Sequence, residues 1–236
     1  MTSYETIANN LAAVRARIEA AARRAARDPS SITLIAVTKT FSGDHVRAAW
    51  NAGQRDFGEN KVQEAEQKIG ATRDLSGARW HLIGHLQSNK SKKAAAGFSM
   101  IHSIDSVDLL HRVDRAAAEH GSNPEILVQA DLAREATKFG ADVSDTEAIV
   151  RAALDARAVR LAGLMVLPPW NENQEETRPW FARLRALRDA LMSSGIPAGA
   201  LRHLSMGMSH DFEAAIEEGA TMVRVGTAIF GKRVKL

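Results

Sequence analysis

Two segments far apart in the sequence carry side chains suited to covalent chemistry with a carbonyl compound. Lys39 follows a short apolar run rich in β-branched residues, and Arg224 lies within a second such run near the C-terminus. A lysine in a partly apolar site beside another cation has a lowered pKa, and its neutral amine attacks a carbonyl carbon to form a Schiff base. Spacing alone is equally compatible with a solvent-exposed lysine, the usual environment of this residue type.

Two glycine-containing segments indicate a phosphate site near that lysine. Ser205 begins the run Ser-Met-Gly-Met-Ser, and Gly226 and Thr227 open a short helical turn. Amide N–H groups at a helix start suit a phosphate dianion, and glycine allows its close approach. The alternative is that these glycines and hydroxyls only cap helices. Two such segments in adjacent loops favour phosphate binding, because barrels often bind phosphate there.

Alternating strands and helices position these residues. After a helix predicted over Ile7 to Arg27, eight predicted strands, each followed by a helix or helical turn, run from Ile32 to Gly231. Such alternation predicts parallel strands joined by helical crossovers. Eight units in 236 residues predict a closed (β/α)₈ barrel, an α/β fold with an extra N-terminal helix, as a single domain over residues 1–236. A doubly wound open sheet, which normally has fewer strands, is the alternative.

Barrel geometry brings the two segments together. Side chains alternate along a strand, so Lys39 shares a side of the first strand with Ile35, and Arg224 shares a side of the eighth with Met222. The first and eighth strands are neighbours in a closed barrel. If those sides face inward, both cations point into the mouth at the carboxyl ends of the strands, where barrels place their chemistry.

Two classes of ligand need both a Schiff-base lysine and a phosphate site. One is a phosphorylated sugar, as in an aldolase, and the other is pyridoxal 5′-phosphate (PLP). An acidic partner at the pyridine nitrogen keeps PLP a strong electron sink, whereas an arginine such as Arg224 would leave that nitrogen unprotonated and weaken the sink. The same arginine could instead neutralise a substrate carboxylate.

Composition excludes several other classes of protein. The chain has no cysteine, which removes disulfides, thiolate metal sites and a cysteine nucleophile. Its 31 Lys and Arg and 28 Asp and Glu give a net charge of +3 without a basic stripe for nucleic acid. No apolar run approaches the roughly 18 residues that span a bilayer, and the N-terminus lacks a signal-peptide pattern. We expect a cytoplasmic protein without a nucleic-acid or membrane partner, and the histidine spacing predicts no metal site.

Six segments, in order along nearly the whole chain, together resemble the YggS/PROSC family of PLP homeostasis proteins. They are Ala36-Val-Thr-Lys39-Thr, Phe57-Gly-Glu-Asn-Lys-Val-Gln-Glu64, Trp80-His-Leu-Ile-Gly-His-Leu-Gln-Ser-Asn-Lys90, Gly163-Leu-Met165, Leu204-Ser-Met-Gly-Met-Ser209 and Met222-Val-Arg-Val-Gly-Thr-Ala-Ile-Phe-Gly231. One position departs from the pattern, since Lys61 stands where we expect a tyrosine. This departure concerns local packing and adds a cation near the mouth.

The resemblance implies a barrel like the N-terminal domain of bacterial alanine racemase and a PLP site within it. Lys39 would form the Schiff base, Arg224 would lie near the pyridine nitrogen, and Ser205 would belong to the phosphate-binding segments. The full set of implied cofactor-binding residues is Lys39, Asn60, Met165, Ser205, Arg224, Gly226 and Thr227. Family members are regarded as carriers or regulators of PLP in vitamin B6 homeostasis, without established catalysis, and apo forms of PLP-dependent enzymes are candidate partners.

The residues favour a carrier over an enzyme. Racemisation needs bases on both faces of the cofactor, and the single tyrosine, Tyr4, lies in the N-terminal helix. The sequence ends soon after the eighth strand, so we expect no second domain of the racemase kind, and we expect a monomer. A PLP-dependent racemase or decarboxylase is the alternative; a sugar-phosphate aldolase would need His81 or His85 as a proton shuttle, although both are more typical of structural histidines. Lys138 could hold PLP transiently during transfer.

Overall fold

Eight parallel strands close into a barrel in the computed structural model, which describes residues 4–133 and 139–231. Within the described residues there are nine strands, the eight of the barrel and a short extra strand, β6: β1 (Thr33–Val37), β2 (Asp56–Glu59), β3 (Arg79–Leu82), β4 (Met100–Ile104), β5 (Glu125–Asp131), β6 (Ala141–Asp142), β7 (Arg160–Met165), β8 (His203–Met208) and β9 (Met222–Val225). Around the barrel the order is β1-β2-β3-β4-β5-β7-β8-β9, and β9 pairs back to β1. The two-residue β6 pairs with β5 outside this ring. The predicted closed barrel is confirmed, and the open sheet is excluded.

Helices cover the outside of the barrel. They are α1 (Tyr4–Arg24), α2 (Gly43–Asn51), α3 (Val62–Ala71), α4 (Ser91–Gly97), α5 (Val107–His120), α6 (Val143–Leu154), α7 (Arg178–Ser193), α8 (Phe212–Glu217) and α9 (Thr227–Phe230). Local signals set their ends: in α5, for example, the Ser106 hydroxyl accepts a hydrogen bond from the Leu109 amide, and Gly121 ends the helix at a φ of 72°.

The N-terminal helix forms as the apolar periodicity predicts, with shifted ends. Ile7 and Leu11 share its buried face, which packs against α2, α8 and α9. The helix ends at Arg24, three residues before the predicted end, because Ala26 adopts a left-handed conformation with a φ of 52°. The helix therefore lies outside the barrel and takes no part in its mouth.

Apolar residues pack in two layers, inside the barrel and between the barrel and its helices. The interior cluster consists of Ile35, Met100, Leu127, Ala162, Met165 and Met222. A much larger cluster fills the space between the strands and the helices. Since Ile35 and Met222 both belong to the interior, the predicted inward sides of β1 and β9 are confirmed.

One strand differs from its predicted bounds in a way that affects the site. The sequence predicts a strand from Leu201 to Ser205, whereas β8 runs to Met208 and Leu201 lies in a short 3₁₀ helix. Gly207 has a φ of 91°, and a Cβ built there would lie 2.6 Å from the Ala215 Cβ. This glycine lets the strand shift register and approach α8 closely. Ser205 is consequently inside the strand, not at its end.

Membrane helices and metal sites are both absent from the part of the chain that the structure describes. None of the helices in residues 4–133 and 139–231 is long and apolar enough to cross a membrane. Within the same ranges, no group of three or more His, Cys, Asp or Glu side chains is arranged to hold a metal ion. Lys138 lies outside the described residues, and the assignment of residues 1–236 to one domain stays a prediction.

Candidate functional site

A cavity of about 580 Å³ opens at the carboxyl ends of the barrel strands. Its volume lies in the range typical of small-molecule and cofactor sites. Five of the seven residues singled out in the sequence line it, namely Lys39, Asn60, Arg224, Gly226 and Thr227. The other two, Met165 and Ser205, are fully buried in the barrel below it. Tertiary structure thus gathers residues from both ends of the chain at one opening.

Lys39 sits on a strained turn directly after β1. The next residue, Thr40, has a φ of 70°, a left-handed conformation that a β-branched residue adopts only when its surroundings impose it. The Phe41 amide donates to the Thr38 carbonyl at 3.0 Å, and the Thr40 amide donates to the Glu64 carboxylate. These contacts fix the backbone on both sides of Lys39 and orient its side chain toward the cavity.

A buried ion cluster supports that turn from below. The Lys68 ammonium donates to the Thr38 carbonyl at 2.6 Å and to the carboxylates of Glu59 and Glu64 at 2.7 Å each. Glu59 is fully buried, and burial raises the pKa of its carboxyl more than the hydrogen bonds from Lys68 and Thr38 lower it. The turn that carries Lys39 is therefore tied to both β2 and α3.

Sequence reasoning missed Lys68. A lysine within a charged helix is usually a solvated residue, yet Lys68 is only 6% exposed. The available signal was its spacing: Val62, Ala65 and Lys68 recur every three residues and share the buried face of α3. Glu64 stands one helical turn before Lys68, at the spacing of an intrahelical ion pair.

Arg224 forms the floor of the cavity. Its side chain donates from Nη1 to the Ser205 hydroxyl at 2.6 Å and from Nη2 to the Val166 carbonyl at 2.9 Å. Burial lowers the pKa of this guanidinium to about 10, opposed by the negative charge of Asp211. Arg224 is still a cation at neutral pH, and its partners within the described residues are a hydroxyl and a carbonyl instead of a carboxylate.

The wall formed by the loops after β8 and β9 is rich in donors. The Ser209 hydroxyl oxygen accepts from the Gly226 amide at 3.1 Å and lies 3.4 Å from the Thr227 hydroxyl. The Ala228 amide points to the same oxygen at 3.5 Å. Amide and hydroxyl donors thus converge on one small volume beside the cavity. The sequence identified both loops but selected Ser205, whereas Ser209 is the serine that lines the opening.

Aromatic side chains form the rim of the opening. The His85 and Phe139 rings stack at 3.6 Å between centroids, with 10° between their planes. Trp170 lies near His210, with ring centroids 6.2 Å apart, and is 68% exposed. His85 also lies 3.5 Å from the Asp105 carboxylate. A ligand entering the cavity would therefore pass between flat, largely apolar surfaces.

Below the floor, a row of hydrogen-bonded polar side chains continues through the barrel interior. Ser205 lies 2.9 Å from His102 Nδ1, and His102 Nε2 lies 3.0 Å from His81 Nδ1. His81 Nε2 in turn lies 3.0 Å from the Asp56 carboxylate, which Arg79 binds through two bonds of 2.6 Å. His81 and His102 are both nearly or fully buried. His81 is thus buried within the barrel and does not line the cavity.

The groups at the opening fit a phosphorylated aldehyde. A primary amine can bond covalently to an aldehyde carbon, converging N–H and O–H donors suit a phosphate, and a buried guanidinium offers donors to a ring nitrogen or a carboxylate. Lys39, the loops around Gly226, and Arg224 supply these three functions on one cavity. The residues present therefore fit PLP chemically.

Comparison with known proteins agrees with the fold and defines its class. Residues 9–234 match the family model described as "Alanine racemase, N-terminal domain". The structure of PipY from Synechococcus elongatus PCC7942 with PLP bound matches with a TM-score of 0.85 and 41% identity, over 95% of this chain and all of that one. The protein is therefore a (β/α)₈ barrel of the alanine racemase N-terminal class.

Two named relatives identify the family more narrowly. A pyridoxal phosphate homeostasis protein of Pseudomonas aeruginosa is 42% identical over 228 residues, covering 97% of this chain and 96% of the relative. One of Aquifex aeolicus is 40% identical over 223 residues, covering 94% and 96%. The chain belongs to the family of pyridoxal phosphate homeostasis proteins, as the six sequence segments indicated.

Proposed function

We propose that this protein binds PLP as a Schiff base on Lys39 and acts in PLP homeostasis as a carrier or regulator. The observation that carries the proposal is the placement of Lys39, Arg224 and the donor-rich loops after β8 and β9 on one cavity of about 580 Å³. The 41% identical PipY, whose structure has been described with PLP bound, supports the choice of ligand. In this role the protein would be a cytoplasmic monomer that supplies apo enzymes.

The groups that line the cavity have distinct roles in PLP binding. The neutral amine of Lys39 bonds to the aldehyde carbon, and the aldehyde oxygen leaves as water. Gly226, Thr227 and Ser209 hold the phosphate with amide and hydroxyl donors. Arg224 faces the pyridine nitrogen. Asn60 contributes to the wall near Lys39.

Two of the predicted binding residues act from beneath in this arrangement. Ser205 orients Arg224 through a 2.6 Å hydrogen bond, so its influence falls at the ring-nitrogen end instead of at the phosphate. Met165 packs in the interior apolar cluster that supports the floor. Bound PLP supplies an electrophilic carbon and an electron-withdrawing ring, and a cationic arginine at the nitrogen limits the second property.

A carrier is favoured over a racemase or decarboxylase because opposed bases are needed for racemisation. Lys39 could serve one face of the cofactor. Tyr4, which the sequence offers as the single tyrosine, lies at the start of α1 outside the barrel. The open rim between Phe139 and Trp170, 55% and 68% exposed, suits loading and release better than controlled carbanion chemistry.

The test is an absorption spectrum with added PLP for the wild type, Lys39→Ala and Lys93→Ala. We expect a yellow band in the wild type and in Lys93→Ala, because Lys93 is an exposed helix residue paired with Glu66. Lys39→Ala should lose the band, and borohydride reduction followed by peptide mapping should locate the cofactor on Lys39. Equal bands in all three proteins would place the attachment elsewhere. Amino-acid turnover above that of PLP in solution would favour the enzyme.

A further inference from the structure

The hydrogen-bonded row beneath Arg224 crosses the barrel from one end to the other. It consists of Arg224, Ser205, His102, His81 and Asp56, with consecutive distances of 2.6, 2.9, 3.0 and 3.0 Å. The strands β4 and β8 are separated in the sheet by β5 and β7. The bond between Ser205 and His102 therefore spans the barrel interior and joins its two sides.

The donor and acceptor types at the two ends of this row fix the direction of the hydrogen bonds there. A guanidinium only donates, so the Ser205 oxygen accepts from Arg224. At the other end a carboxylate only accepts. Burial opposes ionisation of Asp56, but hydrogen bonds from His81 and Arg79 outweigh it and lower the pKa of that carboxyl. His81 Nε2 therefore carries a hydrogen and donates it to Asp56.

The two rings between these ends then allow three arrangements, one with both rings neutral and two with one ring doubly protonated. In the first, both histidines are neutral with hydrogen on Nε2, so that Ser205 donates to His102 and His102 donates to His81. In the second, His81 is doubly protonated and His102 is reversed, and in the third, His102 is doubly protonated. In both of these the Ser205 hydroxyl hydrogen lacks an acceptor, because its partners in the described structure, Arg224 and His102, both donate to it. An unpaired buried hydroxyl is costly.

Electrostatics favours the same arrangement. His102 is fully buried, and burial lowers the pKa of its imidazole well below the usual value, with the positive charge of Arg224 adding to the effect. None of the nitrogen and oxygen atoms in the row is among the buried atoms without a partner. In the first arrangement the Ser205 hydroxyl and all four ring nitrogens of His102 and His81 have hydrogen-bond partners. All the hydrogen bonds of the row then point the same way, from the Arg224 cation to the Asp56 anion.

We infer that His102 and His81 are positioning residues for the cofactor site, which hold the Arg224 guanidinium in one orientation through Ser205. This inference rests on the proposed function, since it assigns Arg224 to the pyridine nitrogen. Arg224 has a hydroxyl and a carbonyl as its partners, so its orientation depends on hydrogen bonds instead of an ion pair. Removing the acceptor behind Ser205 lets the serine rotate, and the arginine then loses its fixed partner.

The first test uses the protein without PLP. Nitrogen-15 NMR of histidine-labelled protein at neutral pH distinguishes the two ring nitrogens of each histidine. We expect hydrogen on Nε2 and none on Nδ1 for both His81 and His102, assigned by loss of signals in single histidine variants. Hydrogen on Nδ1 of His102, or double protonation of either ring, would overturn the inference.

The second test uses the PLP-loaded protein and two substitutions at one position. His102→Gln keeps an acceptor for Ser205 and a donor for His81, whereas His102→Leu removes both. We expect His102→Leu to weaken PLP binding about tenfold, equivalent to about 1.4 kcal/mol, and to shift the absorption maximum. The PLP affinity of His102→Gln should stay within about twofold of the wild type, and its absorption maximum should match that of the wild type. Equal effects of the two variants, or no effect of either, would contradict a positioning role.

Two further variants distinguish a loss of positioning from a general disturbance of the fold. His203→Gln is the matched control, because His203 is a partly buried histidine of β8 that bonds Thr221 and not this row; its PLP spectrum should not change. If His102→Leu does not fold, Ser205→Ala gives the same expected tenfold loss through the neighbouring link. A wild type that binds no PLP would refute the proposed function, while the NMR measurement would still decide the direction of the row.

Discussion

The two ends of the barrel each open into a cavity, and the larger one is the less promising site. The cavity at the amino ends of the strands has a volume of about 720 Å³, against about 580 Å³ at the mouth. Its arginines are already engaged: Arg15 donates to the Ala52 carbonyl at 3.0 Å, Arg55 to the Trp50 carbonyl at 2.8 Å, and Arg79 to Asp56. Their guanidinium groups stabilise the protein itself.

The mouth differs in how its polar groups are arranged. Lys39, Arg224 and the loop donors come from separate strands and converge on one volume. His210 lines it, and His210 Nε2 and Asp211 Oδ2, which lie 3.6 Å apart, are both buried without a hydrogen-bond partner among the described residues. Convergence of polar groups therefore favours the mouth as the ligand site, although its cavity is the smaller of the two.

The largest expected effect tests how differently the two ends are supported. Lys68→Met should destabilise the protein by about 3 kcal/mol, because it leaves Glu59 buried without its ion pair. Arg79→Met, at the opposite end, should cost about 1 kcal/mol, since the side chain is 58% exposed and Asp56 keeps His81. Urea unfolding measures both values. Equal losses would mean that the ion cluster at the mouth is no more important than the pair at the amino end.

An intermediate effect compares one added methyl group at each end. A Cβ at Gly84 would lie 2.3 Å from the Asn60 carbonyl oxygen, so Gly84→Ala must displace a wall of the mouth. We expect about fivefold weaker PLP binding, roughly 1 kcal/mol. Gly77→Ala, before β3, meets only the Arg55 side chain at 3.8 Å and strains a φ of 73°. This control should lose stability but retain PLP affinity, as measured by equilibrium titration. Reduced affinity in both would point to a general loss of structure.

The smallest effect concerns the sign of pH dependence at two carboxylates of β2. The lowered pKa of Asp56 means that its stabilisation is present above the unfolded value of 3.8 and is lost as pH falls through the folded pKa. The raised pKa of Glu59, caused by burial, means the reverse: its contribution to stability is present below 4.5 and is lost as pH rises through the folded pKa. The two ends of one strand therefore respond to pH in opposite directions.

Unfolding free energies of Asp56→Asn and Glu59→Gln against pH check these signs. The wild-type advantage over Asp56→Asn should shrink as pH falls below about 3.8. The wild-type free energy relative to Glu59→Gln should decline as pH rises above about 4.5. If the free-energy differences for both variants changed with pH in the same direction, the expected electrostatic contrast between the two ends of β2 would be contradicted.

Much of the mouth follows from local rules. Alternation along a strand placed Lys39 with Ile35 and Arg224 with Met222, and both cations do line the cavity. This inference succeeds because the side-chain period of a strand is two and does not depend on distant residues. Closure of the barrel then makes β1 and β9 neighbours, which brings residues separated by most of the chain to one opening.

The prediction for Ser205 shows where local rules end. Its segment was correct, but the strand extends to Met208 because Gly207 accepts a positive φ against α8. That shift moves Ser205 into the barrel and leaves Ser209 at the opening. A register shift depends on packing against a helix that the strand pattern does not include.

The amino-acid sequence by itself determined the eight-unit barrel, the family, and the two cations at its mouth, because hydrophobic periodicity and motif spacing are local properties. Tertiary structure alone decided that Lys68 binds the Thr38 carbonyl beneath Lys39 and that Ser205 meets His102 across the barrel. Those partners lie 30 and 103 residues apart. Contacts at such separations arise only when the closed barrel leaves buried polar groups that must find partners inside it.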